Sequence, residues 1–376
     1  MFSSSSSSGS EDEWNDLLDS SYNLYLNSPR SCWVHDLLTD YKNGEYFQTC
    51  IKLREYPEKF KEYFRMNIHT YDYILDNISN DIKKYSNFRE CIQPDEKLAI
   101  TIRYLSTGMS FRALEFLFKR HHYTIGKIVE DVCVAIWNQL FTKHMPIPNK
   151  ENYLKISSTF EVLWNFPHVV GCLDGKHLRV KCPEKSGSMF FNYKGYYSIV
   201  LQGVADANYK FIFVDVGAYG KQSDSGTFLA SDLYDILDKY KNSLPRPTKI
   251  KDTEIDMPYV MLADDAYPLK EYILKPYLKR QLTHEEMIFN YRLSRCRRCI
   301  ECAFGIMCTK WRLLYKPIET KIEKAENIAK AITLLHNIII DLDGSPNAMA
   351  IEEAMESFEF QKKKKSRNYK YFTKKS

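Results

Sequence analysis

The sequence has no run of about twenty apolar residues and no basic-then-apolar leader, so neither a membrane span nor secretion is expected. It has no Gly-x-x-x-x-Gly-Lys phosphate loop, which leaves an ATP-driven mechanism without support. Its ten cysteines are then expected to be mostly reduced thiols in an intracellular protein. Four of them, Cys296, Cys299, Cys302 and Cys308, approach a ferredoxin-type run but lack its terminal Cys-Pro. They also lie in one helical pattern, where three-residue steps drift around the axis and do not converge on an ion. The first twenty residues have no Lys or Arg against Glu11, Asp12, Glu13, Asp16 and Asp19, while Lys362 to Lys365, Arg367, Lys370, Lys374 and Lys375 close the chain. A net charge of +5 thus conceals an acidic head and a basic tail.

What is present is ample for a core: 376 residues, 44% hydrophobic and 14% aromatic. Residues 1–21, opening on a serine run, have too few apolar positions to offset their ordering entropy and are expected to be disordered, as is the tail over 343–376. Residues 22–92 are expected to be helical, with helices at 57–66 and 70–83. Three more are expected at 94–106, 110–120 and 124–140, marked by Pro94, Gly108, Ser110 and Thr124. Their short connections make 93–145 a helix-turn-helix-like module, either a DNA reader or a purely structural bundle. In the first case Arg112 and Lys127 would meet phosphate. His121 and His122, adjacent and without an acid or cysteine at ligand spacing, read as solvated or turn-packing.

Met145-Pro146-Ile147-Pro148-Asn149 breaks the helical pattern and leads into a domain at 150–342. Phe160 to Trp164 reads as a helix before a first strand at 168–173, which ends at Asp174 and a turn at Gly175. A further strand follows at 177–181. Apolar runs at 198–205 and 211–216 flank a hairpin turn, and another strand is expected at 259–263. The segment Phe190 to Tyr197 is basic and aromatic. It suits sheet packing and also suits base stacking, with Lys194 on phosphate. Ser223 or Asp224 is placed to cap a helix. A basic helix from Thr283 to Cys308 carries Arg292, Arg295, Arg297 and Arg298, a run suited to phosphate.

Three separated stretches, in order and spacing, carry a resemblance: Val169-Val170-Gly171-Cys172-Leu173-Asp174-Gly175, Ala263-Asp264-Asp265-Ala266-Tyr267-Pro268-Leu269, and Arg297-Arg298-Cys299-Ile300-Glu301-Cys302-Ala303-Phe304-Gly305. They resemble the DDE core of PIF/Harbinger-type transposases, and the likeness runs from about Trp33 to Asp341. It implies an α/β fold, an RNase H-like DDE core of mixed sheet flanked by helices, behind an all-α region. It implies DNA phosphodiester cleavage or strand transfer with Mg²⁺ or Mn²⁺, ions that favour carboxylate oxygen ligands. Counting the strands at 168–173, 198–205, 211–216 and 259–263 puts Asp264 just past the fourth, so Asp174, Asp264 and Glu301 are the expected catalytic and metal-holding set. Asp224 is expected as a fourth metal ligand, although an N-cap role also explains it, and Asp265 as dispensable. Lys194, Arg295 and Arg298, with Arg112 and Lys127, are the expected DNA contacts. The expected partners are DNA, a separate DNA-binding protein and a second copy of the chain; the expected location is the nucleus, with Lys362–Arg367 as import signal or nucleic-acid arm. The alternative is a domesticated, catalytically inactive relative that binds DNA or chromatin.

Overall fold

The computed structural model describes residues 35–87, 90–239, 244–278, 281–353 and 355–356. The expected acidic head and the Lys362–Arg367 cluster lie outside the described residues. After short helical turns between 36 and 55 come α1 (Pro57–Phe64), α2 (Ile68–Ile82), α3 (Pro94–Thr107), α4 (Phe111–Phe118) and α5 (His122–His144). Pro57 and Pro94 open their helices where a missing N–H costs nothing. Gly108, at φ +62°, closes α3 in the left-handed region, and Ser110 Oγ caps α4 by accepting from Ala113 N at 3.2 Å.

The next boundary differs from the sequence reading. α5 is capped by His121, whose Nδ1 accepts from Tyr123 N at 3.3 Å, and not by Thr124. The chain has completed its reversal by then because Arg120 is anchored. Its Nε and a terminal nitrogen donate to the two oxygens of buried Glu96 at 2.7 and 3.0 Å, and its guanidinium lies 4.3 Å from the Tyr41 ring centre. Likewise α6 spans Lys150–Trp164, far longer than the segment 160–164, because Asn149 Oδ1 accepts from Asn152 N at 2.8 Å and starts the helix ten residues earlier.

A mixed five-stranded sheet follows. β1 (Val169–Arg179) pairs antiparallel with β2 (Ser198–Ala205), which pairs antiparallel with β3 (Phe211–Tyr219). A small ribbon, β4 (Thr248–Lys249) with β5 (Asp256–Met257), precedes β6 (Val260–Leu262) and β7 (Ile273–Leu274). β6 runs parallel to β1 and β7 parallel to β6, giving the order β3-β2-β1-β6-β7. The expected turn at Gly175 does not form. β2 offers an unbroken partner from Cys172↔Ala205 to Arg179↔Ser198, so the backbone stays extended through Gly175↔Gln202, and the two short strands of the sequence reading are one.

Both faces of the sheet are covered. Val170, Leu173, Met261 and Ala263 pack against Phe228 of α7 (Asp224–Leu229) and Leu233 and Leu237 of α8 (Asp232–Lys239). The other face, with Cys172, Leu201 and Leu262, shares one core with α9 (His284–Lys310), α10 (Ile322–Asp343) and the N-terminal helices. α9 starts at a capping box in which Glu286 N donates to Thr283 Oγ1 and Thr283 N to Glu286 Oε2. Its cysteines diverge: Cys296 and Cys299 lie beside Cys172 in the large core, whereas Cys302 joins Ile306 in a separate small cluster. A mixed sheet flanked by helices, behind a helical N-terminal region, is an α/β architecture of RNase H-like type. Among the described residues no helix is long and apolar enough to cross a membrane.

Candidate active site

Side chains alternate along β1, and contacts to α9 fix the phase. The Cys172 thiol lies 3.7 Å from the carbonyl of Cys296, and the Lys176 ammonium stands 5.8 Å from the Phe304 ring centre. Asp174 lies between these two in phase and so faces α9, where its Oδ1 is 3.5 Å from a guanidinium nitrogen of Arg297. Leu173 points the opposite way, into the core that holds Phe228 and Tyr267.

Asp264 reaches the same side from β6. Leu262 belongs to the α9-facing core and Ala263 to the other, so the alternation brings the Asp264 carboxylate back toward α9. Its Oδ1 accepts from Ala266 N at 3.0 Å, which orients it. Burial pushes the Asp264 carboxyl up; Arg297 draws it back and nearby Asp174 adds to the rise. Glu301 lies one helical turn after Arg297 on α9. Burial opposes the charge on Arg297, whose side chain is only 13% exposed, but Asp174, Asp264 and Glu301 outweigh it and hold the guanidinium firmly protonated. The charges of all three acids expected from the sequence therefore act on one buried cation.

Asp224 approaches from the other side of the strand. A Cβ on Gly175 would stand 2.7 Å from Asp224 Oδ1 and 3.6 Å from the Tyr267 hydroxyl. Gly175 is thus the gap through which α7 brings its carboxylate against the β1 backbone, across from Arg297. Ser223 supplies the helix cap, accepting from Gly226 N at 3.1 Å. The Tyr267 hydroxyl accepts from Gln202 Nε2 at 3.2 Å. Burial first, then the charges of Asp174, Asp224 and Asp264, raise its pKa well above the ordinary tyrosine value. The sequence counts Arg297 only among four arginines suited to phosphate, and assigns no role to Tyr267 or Gln202. The signal for the first two was there, since Arg297 precedes Glu301 by one turn and Tyr267 follows Asp264 by three residues. Gln202 gave none, because only the β1–β2 register puts it beside Gly175. Arg297 Nε and Gln202 Oε1 are both buried without a hydrogen-bond partner.

The remaining expected contacts are spread over the molecule. Arg295 and Arg298 are exposed on α9, and Arg112 and Lys127 are exposed on α4 and α5. Near Lys127 on α5, Glu130 pairs with Lys324 of α10 at 2.7 Å. Lys194 lies 5.2 Å from the Tyr193 ring centre in a loop that buried Asn192 organises, accepting from Lys194 N and Tyr196 N and donating to Ser198 Oγ. Asp265 is exposed. The histidine pair does have an acid beside it, contrary to expectation: His122 Nδ1 is 2.8 Å from Glu115 Oε2.

Three carboxylates acting on one guanidinium leave net negative charge and hard oxygen donors here, a chemistry that suits a hard divalent cation. Residues 173–337 match the family model of the DDE superfamily endonuclease. The chain is 24% identical to "Protein ALP1-like" of Arabidopsis thaliana over 298 residues, covering 76% of this chain and 72% of that protein. It is 20% identical over 286 residues to "Putative nuclease HARBI1" of Xenopus laevis (72% and 75% covered), and 20% identical over 278 residues to the Homo sapiens protein of that name (72% and 74%). No solved structure matches the chain. Residues 173–337, which hold all three acids, are thus similar to the DDE superfamily endonuclease family, and the chain as a whole is similar to the ALP1-like and HARBI1 proteins.

Proposed function

We propose that this protein is a divalent-metal-dependent nuclease that cuts DNA phosphodiester bonds, with strand transfer as the same displacement by a different nucleophile. What supports this reading is that the charges of Asp174, Asp264 and Glu301, from two strands and a helix, all act on the buried Arg297 guanidinium, with the hard oxygen chemistry such ions favour. Bound Mg²⁺ or Mn²⁺ would stabilise charge on the attacking and leaving oxygens. Asp174 and Asp264 would hold the ions from the sheet and Glu301 from α9, while Asp224 would support them from across β1. Arg297 holds the acids together at the α9 side and can face the phosphate as charge develops on it. Exposed Arg295 and Arg298 would meet DNA phosphate on α9, and Lys194 in the β1–β2 loop would add a further contact; the Lys362–Arg367 cluster would carry the chain into the nucleus.

The test is nicking of supercoiled DNA by the purified full chain with Mn²⁺ or Mg²⁺. Asp174→Asn, Asp264→Asn and Glu301→Gln are each expected to abolish nicking, and Asp265→Asn to leave it intact. Full activity in Asp264→Asn would overturn the assignment, and a wild-type chain that binds DNA but never nicks it would favour the domesticated, binding-only reading. A separate measurement addresses the helical module. Charge reversal at Arg112 and Lys127 is expected to lower the slope of log affinity against log salt by about two, near one per lost phosphate contact; an unchanged slope would make the module scaffold alone.

A further inference from the structure

We propose that Glu115, His121 and His122 form a second metal site, for a borderline first-row ion of the zinc class, at the turn joining α4 to α5. One ligand atom from each of the three lies within 4.8 Å of the other two. The two imidazole ring centres stand 4.2 Å apart with their planes tilted by 35°, and His122 Nδ1 is 2.8 Å from Glu115 Oε2. A tetrahedral ion with bonds of about 2.0–2.1 Å holds its ligand atoms roughly 3.3–3.5 Å apart, so small side-chain rotations close the set.

The adjacency of the histidines, which bars a shared ion within a helix, is harmless here because His121 lies outside the helix as its N-cap, with ψ 136°, while His122 opens it. The frame is rigid. Arg120, between α4 and the histidines, is clamped on buried Glu96, and Glu115 is itself held on α4 with its side chain 13% exposed. The present bonds yield easily. Binding through either nitrogen of His121 releases its long 3.3 Å contact with Tyr123 N, since the ion takes the Nδ1 lone pair or obliges Nδ1 to carry the proton. That amide is at an exposed helix start, where water replaces the bond.

Two imidazoles and one carboxylate select Zn²⁺, Co²⁺ or Ni²⁺ over Mg²⁺ and Mn²⁺, so the donor set separates this site from the all-carboxylate centre. Three protein ligands leave a position for water, on the side where His121 is exposed. An ion here would staple the reversal between α4 and α5, the two helices that carry Arg112 and Lys127. The inference does not depend on the nuclease reading.

The test is calorimetric titration of the full chain with Zn²⁺ in saturating Mg²⁺, with the visible absorption of Co²⁺ as a second readout. The expected result is one ion per chain, retained in Asp174→Asn and weakened by about tenfold or more in His121→Ala and in Glu115→Gln, a loss that even outer partners of a metal site bring. Because His121 is exposed, its variant should keep the wild-type circular dichroism and melting temperature in the absence of ions. Equal Zn²⁺ affinity in the wild type and both of these variants would overturn the site. Uptake lost in Asp174→Asn but kept in His121→Ala would also overturn it, as would no uptake at all.

Discussion

Arg297 shows how one residue sets the electrostatics of the acidic centre. Burial raises the Asp264 carboxyl, and the nearby Asp174 charge adds to the rise. A guanidinium with a 3.5 Å approach to Asp174 relieves part of it from within the fold. Replacing it with an uncharged chain of similar length, Arg297→Met, leaves the acids without a counter-ion, and breaking a buried pair in this way costs about 3 kcal/mol. The metal-free variant is expected to lose about that much stability. Mn²⁺, arriving where a cation is now missing, should restore more stability to the variant than it adds to the wild type. Denaturant unfolding of both chains with and without Mn²⁺ measures the difference, and equal gains in the two would show that Arg297 is not the acids' counter-ion.

At the scale of elements, β1 unites the two halves of the site, since it presents Asp174 to α9 and opens at Gly175 to α7. Filling that opening tests whether Asp224 matters where it stands. In Gly175→Ala the new methyl meets the Asp224 carboxylate, the end of a side chain that can swing aside, so the fold should persist with a melting temperature close to wild type. Cleavage is expected to fall about tenfold, or roughly 1.4 kcal/mol of transition-state stabilisation, matching Asp224→Asn; unimpaired nicking in both would remove Asp224 from the site. This element also shows what the sequence could and could not disclose. Apolar runs identified all the long strands, and the acids at 174, 264 and 301 stood out because strand ends and a motif flanked them. The continuity of β1 through Gly175 was hidden, because Asp-Gly reads as a turn until a full-length partner strand is known. Arg297 was one of four arginines in a basic helix, and nothing local says which of the four turns inward. Glu115 and His122 are seven residues apart across a reversal whose tightness depends on the Arg120–Glu96 pair, a contact 24 residues long in sequence. Pairings of this kind come from tertiary contact, and periodicity carries no trace of them.

For the molecule as a whole, the question is whether the helical N-terminal region and the sheet unfold as one. They share a continuous apolar core, and a single buried amide joins them at its centre. Asn337, fully buried on α10, donates from Nδ2 to the carbonyl of His144 at 2.9 Å and to that of Phe211 at 2.7 Å, and its Oδ1 accepts from Phe211 N at 2.9 Å. The last turn of α5 and the first residue of β3 are thereby tied to the same side chain. Beside it, buried His336 lies 2.8 Å from the Tyr209 carbonyl through Nε2, and Asp341 bridges His144 Nδ1 and the Lys210 ammonium. Such a seam couples the halves more tightly than a linker at 145–149 suggests. Asn337→Leu keeps the branched shape, with bulkier methyls, but leaves backbone groups of two elements buried without partners, at about 1–3 kcal/mol for each group. The expected loss is about 3–5 kcal/mol, with the whole unfolding curve displaced and its steepness retained. Far-ultraviolet dichroism and the fluorescence of Trp137, Trp164 and Trp311 should report the same midpoint in both chains. Two separated transitions in the wild type, or a variant in which one signal shifts and the other stays, would mean that the helical region and the sheet are independent units that only touch at Asn337.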